Sequence, residues 1–200
     1  MTGVRSAALA AIPHGFFGHA AGDCGLGSGL DPALAAANRR AAADAILPGA
    51  PLASVYQVHS PNAVIVTQAM PDEQRPHADA IVTATRGLVL GIVTADCAPV
   101  LLADVEAGVI AAAHAGWRGA VAGVTDQAIA AMLTLGARVD RITAAVGPCI
   151  ARASYEVDHA FAERLLADDP GNEPFLSDGP RGQPHFDLEA YVAARLAAAG

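Results

Sequence analysis

Between residues 80 and 113 the chain passes through four short apolar stretches, 80–83, 88–94, 100–103 and 109–113. Each is rich in Val, Ile, Leu or Ala, and Gly, Pro and Asp separate them. Such runs are too short for buried helices and show no apolar–polar alternation, so they predict central strands buried on both faces. Residues 55–59, 63–67 and 142–146 predict further strands. Asp31-Pro32 predicts a helix start, with Asp as N-cap and Pro at the first helical position, and the helix continues to Leu47, where Pro48-Gly49 stops it. Val121, Val124, Ala128, Met132 and Leu135 fall at helical spacing, and Gly136 follows as a C′ glycine. Residues 158–167 and 188–199 read as amphipathic helices, with a polar loop over 168–183 between them. Strands in runs with helices grouped between them indicate an α+β fold and not strict βαβ alternation.

Composition sets the exclusions. Apolar residues make up 53% of the 200 and charged residues 16%, which argues against disorder. Asp96, Asp104 and Glu106 interrupt the most apolar region, so no segment reaches the ~18 apolar residues that a membrane-spanning helix needs. The N-terminus has one Arg and a short Ala run ending at Pro13, a poor secretory signal. The net charge is −8, and all twelve basic residues are Arg. With no Lys, Schiff-base and P-loop chemistry are impossible. No Arg cluster exceeds Arg39-Arg40, which disfavours nucleic acid as a partner. The three cysteines, Cys24, Cys97 and Cys149, are widely spaced and odd in number, which predicts a reduced, cytoplasmic protein.

Three residues carry possible chemistry. His59 follows the run 55–58, Cys97 follows 91–96 and His114 follows 109–113. Placed at strand ends, their side chains can converge above one sheet edge. Two imidazoles and a thiolate suit Zn²⁺ and leave a fourth position open. If they converge, their ligating atoms should lie within about 4 Å of one another. The residues alone leave three readings open. They are core packing, a metal centre of His59, Cys97 and His114, and a metal-free nucleophile, Cys97 with His114 as its base. Arg118 lies in His114-Ala115-Gly116-Trp117-Arg118-Gly119, a turn leading into a helix. It is either a bidentate phosphate contact or a brace for the turn. Cys149, in Gly147-Pro148-Cys149, reads as core. His14, His77, His159 and His185 read as structural or exposed.

Several motifs in order resemble one family: Gln57-Val58-His59, Thr94-Ala95-Asp96-Cys97-Ala98-Pro99, His114-Ala115-Gly116-Trp117-Arg118-Gly119, Gly147-Pro148-Cys149-Ile150 and Tyr155-Glu156-Val157. Together with His14-Gly15-Phe16 they are similar to the YfiH/laccase-domain family, also called DUF152 or multicopper polyphenol oxidase. The resemblance implies a layered α/β/β/α sandwich formed by one catalytic domain over 1–200. It implies zinc held by His59, Cys97 and His114, which would also be the catalytic residues. The implied reaction is phosphorolysis of adenosine, inosine and methylthioadenosine, with adenosine deamination alongside, so the expected partners are a purine nucleoside and phosphate. Copper-dependent phenol oxidation (laccase activity) is the older description, and the ligand set admits copper. Against it, the chain has seven His and no His-x-His pair. A metal-free cysteine hydrolase and a binding protein with a structural metal complete the set of competing functions. The chain departs from the family pattern in two places. Most of a loop between Gly22 and Cys24 is missing, with His19 near the family's Arg position, and the family's C-terminal segment beyond Gly200 is not present.

Overall fold

The computed structural model describes residues 3–25, 29 and 31–200; of the glycine-rich stretch at 25–29, residues 26–28 lie outside this description. The apolar runs form a five-stranded sheet. In chain order the strands of the molecule are β1 (Leu52–Ser54), β2 (Ala63–Ile65), β3 (Ala80–Thr83), β4 (Val89–Gly91), β5 (Ala98–Asp104), β6 (Val109–Ala115), β7 (Thr143–Val146), β8 (Leu176–Asp178) and β9 (Pro184–Phe186). The large sheet has the order β2-β3-β6-β5-β7, while β1-β4 and β8-β9 form two-stranded sheets. Within the large sheet only β2 and β3 run parallel; β6 is antiparallel to both β3 and β5, and β5 is antiparallel to β7.

Alternation along these strands sends side chains into two cores. Val82, Val100, Leu102, Ala111 and Ala113 face one side, where they meet Val124, Ala128, Met132, Tyr191 and Val192. The latter come from α3 (Val124–Thr134) and α5 (Leu188–Ala198), with Phe161 of α4 (His159–Asp168) added. Ile81 and Ala112 face the other side, where they pack with Ala53, Val55 and Leu88 around the β1-β4 sheet. Beyond that sheet lies α1 (Pro32–Ile46), whose Ala43 and Ile46 meet Val89 and Leu52. The layers therefore run helix, sheet, sheet, helix, the α/β/β/α order that the sequence resemblance implies. No helix among the described residues is long and apolar enough to cross a membrane.

Local chemistry explains the element ends. The Asp31 carboxylate accepts the Ala33 N–H and caps α1, and Asp158 and Asp187 cap α4 and α5 in the same way. Gly136, at φ +92°, ends the helix before it.

Four expectations need correction. The helix expected over 121–135 is two helices, α2 (Trp117–Val121) and α3, broken at Gly123, whose φ of +93° lies outside the helical region. The strand expected over 55–59 is reduced to a single bridge at Tyr56, because β1 has already ended at Ser54. The side chain of Gln57 replaces the missing ladder, donating to the Val93 carbonyl at 2.7 Å and accepting the Val93 N–H at 2.8 Å. The run 88–94 yields only the three residues of β4. After Gly91 the chain must cross from the small sheet to the large one, so 92–97 is a connection. The polar loop expected over 168–183 contains a 3-10 turn at Pro170–Phe175 and the strand β8.

Candidate metal centre

His59, Cys97 and His114 come together, with one donor atom from each lying within 4.8 Å of the others. Cys97 Sγ is 3.9 Å from His59 Nε2, and the two imidazoles meet edge-on with ring centroids 4.7 Å apart. The spread slightly exceeds the expected 4 Å. It is the one such His/Cys/Asp/Glu group among the described residues. The three residues do not all end strands. His114 lies within β6, one residue from its end. Cys97 immediately precedes β5, and His59 sits in the loop before β2.

That arrangement is organised by Asp79, which sequence reasoning passed over. Asp79 precedes β3 and is fully buried. Its carboxylate accepts His114 Nδ1–H at 2.8 Å, the backbone N–H groups of Val58, His59 and Ser60 at 3.2, 2.9 and 2.6 Å, and the Ser60 hydroxyl at 2.9 Å. One acid thus wraps the 58–60 loop around itself and holds His59 at φ +60°, a backbone conformation rare for a residue with a side chain. The same acid fixes the His114 tautomer. Nδ1 carries the proton and Nε2 is left with its lone pair towards the cluster. Burial would raise the Asp79 pKa, but its hydrogen bonds from His114, Ser60 and His59 hold it below the ordinary carboxylate value.

The other shifts follow from burial as well. Burial lowers the His114 pKa, with Asp79 opposing, so the imidazole is neutral and ready to donate its lone pair. Burial raises the Cys97 thiol, and the Asp96 and Asp79 charges add to that. A cation is the natural counterweight, since a coordinating thiol is deprotonated by its metal. Gly116 leaves the room: a Cβ there would lie 2.8 Å from His59 Cδ2 and 2.9 Å from Cys97 Sγ. Asp96, at φ +73°, turns the chain into Cys97, and its carbonyl accepts the Ile150 N–H at 2.8 Å.

The remaining candidates lie elsewhere. Arg118 is exposed in the five-residue α2, with its guanidinium 5.0 Å from the centre of the Trp117 ring, and no carboxylate pairs with it among the described residues. Cys149 is half-buried against the helix-side core, where burial pushes its thiol up to about 11. His14 accepts the Ser6 N–H, and His185 bonds the Arg152 carbonyl. His77 stacks on Tyr56, and His159 is exposed at the start of α4.

An α+β sandwich with a two-histidine, one-cysteine cluster at the strand ends in the middle of its large sheet is a candidate metal-dependent enzyme. The chain belongs to the multi-copper polyphenol oxidoreductase laccase family, whose model matches residues 14–200. It is 44% identical over 183 residues to "Purine nucleoside phosphorylase ORF3" of Streptomyces griseus, covering 90% of this chain and 73% of that one. It is 42% identical over 123 residues to "Adenosine deaminase RL5" of an unknown prokaryote, covering 61% and 47% respectively. The crystal structure of a DUF152 protein from Neisseria meningitidis superposes with a TM-score of 0.77 at 31% identity, covering 89% of this chain and 71% of that one.

Proposed function

We propose that this chain is a zinc-dependent purine nucleoside phosphorylase that also deaminates adenosine. The observation that carries the reading is the convergence of His59, Cys97 and His114 around a space kept clear by Gly116. The names of the relatives above support the nucleoside chemistry. The donor set fits zinc, because two neutral imidazoles and a thiolate make a three-ligand site with a fourth position for water or substrate. Zinc bound there supplies a Lewis acid and a water that ionises near neutral pH.

This chain's own residues do the rest. Asp79 keeps the proton of His114 on Nδ1 and so keeps Nε2 free as a ligand. It also pins the backbone of His59. Arg118 follows closely on His114 in the chain, with no acid neutralising it among the described residues, and offers a planar fork of donors to a phosphate. Phosphate attack at the sugar carbon breaks the glycosidic C–N bond and releases the base and a sugar 1-phosphate. Deamination uses water instead and leaves the glycosidic bond intact. The substrates are small molecules: adenosine, inosine or methylthioadenosine, with phosphate. Cytoplasmic placement fits the unpaired cysteines, all three of which are free thiols.

The family description favours copper and phenol oxidation as a second reading. A single three-donor cluster among the described residues counts against it. The raised thiol of Cys97 likewise counts against a metal-free cysteine hydrolase. The test incubates metal-analysed protein with adenosine, with and without phosphate. Adenine and ribose 1-phosphate formed only with phosphate, and inosine formed in both, are expected. Neither product, together with turnover of a phenol, would overturn the proposal. An Arg118→Lys variant divides the two activities: the phosphate KM rises and deamination is retained if Arg118 binds phosphate, whereas equal losses remove that role.

A further inference from the structure

The pairing of β5 with β7 runs on past the ends of both strands. Val100 is opposite Val146, and the Gly147 N–H continues the ladder to the Pro99 carbonyl at 2.8 Å. Three residues away on each chain, the Ile150 N–H donates to the Asp96 carbonyl, also at 2.8 Å. Both hydrogen bonds keep the register of the strands. The equal segments between them, Cys97-Ala98 and Pro148-Cys149, therefore lie side by side, with Cys97 opposite Cys149. Opposed residues on antiparallel chains have Cα atoms about 4.5–5.5 Å apart. That lies inside the roughly 4.4–6.8 Å that a disulfide spans.

The electrostatics agree with this placement. After burial and the charges of Glu189 and Asp187, the charge of Cys97 is a further cause of the raised Cys149 pKa, so the two sulfurs are neighbours in space. Both are free thiols. Cys149 is not one of the three cluster ligands. It is held beside them by the fixed backbone of Pro148 on one side and by the hydrogen bond of Ile150 on the other. Cys97 is partly exposed, so a small oxidant reaches it. Cys24 belongs to a different layer, next to α1, where the Asn38 side chain donates to the Asp23 carbonyl at 2.8 Å.

We infer that Cys97 and Cys149 are an oxidation site: hydrogen peroxide converts the pair to a disulfide, which takes the sulfur away from the metal centre, and thiols reverse it. The inference rests on the metal reading of the cluster above and is independent of the nucleoside reaction. The Cys97 thiolate takes a hydroxyl from hydrogen peroxide, giving a sulfenic acid and a hydroxide. The Cys149 sulfur then attacks the Cys97 sulfur. The S–S bond forms, the S–O bond breaks, and a second hydroxide departs. One hydroxide takes the Cys149 proton and the other a proton from solvent, so both leave as water. The two sulfurs lose two electrons, and the O–O bond of the peroxide accepts them. With Cys97 in the disulfide, only His59 and His114 remain as ligands of the cluster. Without Cys149, the sulfenic acid advances to sulfinic and sulfonic acids, which thiols do not reverse.

The test treats zinc-loaded protein with a small excess of hydrogen peroxide, digests it without reductant and maps the peptides by mass spectrometry. A Cys97–Cys149 link is expected, with the free thiols falling from three to one, that of Cys24. A chromophoric chelator should register the zinc released as the link forms. A thiol reductant with added zinc should then restore the full metal content. Cys149→Ala and Cys149→Ser should begin with wild-type zinc content and lose it to peroxide, and reduction should recover little of it, because Cys97 is over-oxidised. Two variants are used so that a folding defect in one does not decide the result. No Cys97–Cys149 link in the wild type, or full recovery of zinc by the variants, overturns the inference. Zinc uptake without the link leaves the metal reading standing and removes the disulfide. A link formed in wild-type protein that takes up no zinc upholds the cysteine pair and removes the metal reading instead.

Discussion

Asp79→Asn is the sharpest perturbation of the centre, because it changes one atom in a carboxylate that accepts five hydrogen bonds. In the native protein, Oδ1 serves His114 Nδ1 and the His59 N–H, while Oδ2 serves the Val58 and Ser60 N–H groups and the Ser60 hydroxyl. An asparagine has one acceptor and one donor in those places. If its NH₂ faces the loop, two backbone N–H groups at 3.2 and 2.6 Å are left against a donor. If it faces His114, the ring must accept there, its proton moves to Nε2, and the atom needed for the metal is blocked. Each unpaired buried group costs about 1–3 kcal/mol. The melting temperature should therefore fall by about 5–15 °C, and zinc affinity should fall about 10- to 100-fold, as for other partners of metal-bound histidines. Competition with a chromophoric chelator reads the affinity, and a thermal melt of the metal-free protein reads the stability. Wild-type zinc affinity in a folded Asp79→Asn protein would refute the orienting role.

Gly116→Ala separates site from fold. Gly116 has an ordinary extended backbone (φ −70°, ψ 159°), so alanine brings no backbone strain, yet its Cβ crowds His59 and Cys97. Zinc affinity should drop about tenfold or more while the metal-free protein melts near the wild-type temperature. Cys149→Ala should do the reverse, costing about 1–2 kcal/mol through a small cavity, measured by denaturant unfolding, with full metal content. Asp104 is buried on β5, and its pKa is lowered by the N–H groups of Ala107 and Arg138 and by the Arg141 guanidinium. On acidification the unfolded chain takes up its proton first. The contribution is therefore complete above about pH 4 and is lost as pH falls through the lowered native value. Asp104→Asn should flatten that acid limb of the stability–pH curve.

What the sequence revealed depended on how local the signal was. The β3 run 80–83 and the capped start of α1 at Asp31 are set by adjacent residues, and both appear where expected. The break between α2 and α3 was hidden because Val121, Val124 and Ala128 keep helical spacing across it, and only the positive φ of Gly123 interrupts the helix. The hairpin of β8 and β9 consists of two three-residue strands in polar sequence, too short to show a period. His59, Cys97 and His114 were visible as polar residues bordering apolar runs, although their strand positions differ from those expected. Asp79 left no local mark because its partners lie 19 to 35 residues away. The available signal was a single acid within the apolar stretch 78–83, a position where an uncompensated charge is too costly to be unpartnered.

X-ray absorption at the zinc edge of the zinc-loaded protein tests the central claim most directly. The account predicts one sulfur at about 2.3 Å, two imidazole nitrogens at about 2.0–2.1 Å and one further light atom from water. In Cys97→Ala, the sulfur shell should vanish and zinc retention fall. A zinc shell without sulfur in the wild-type protein, or one unchanged by Cys97→Ala, would contradict it.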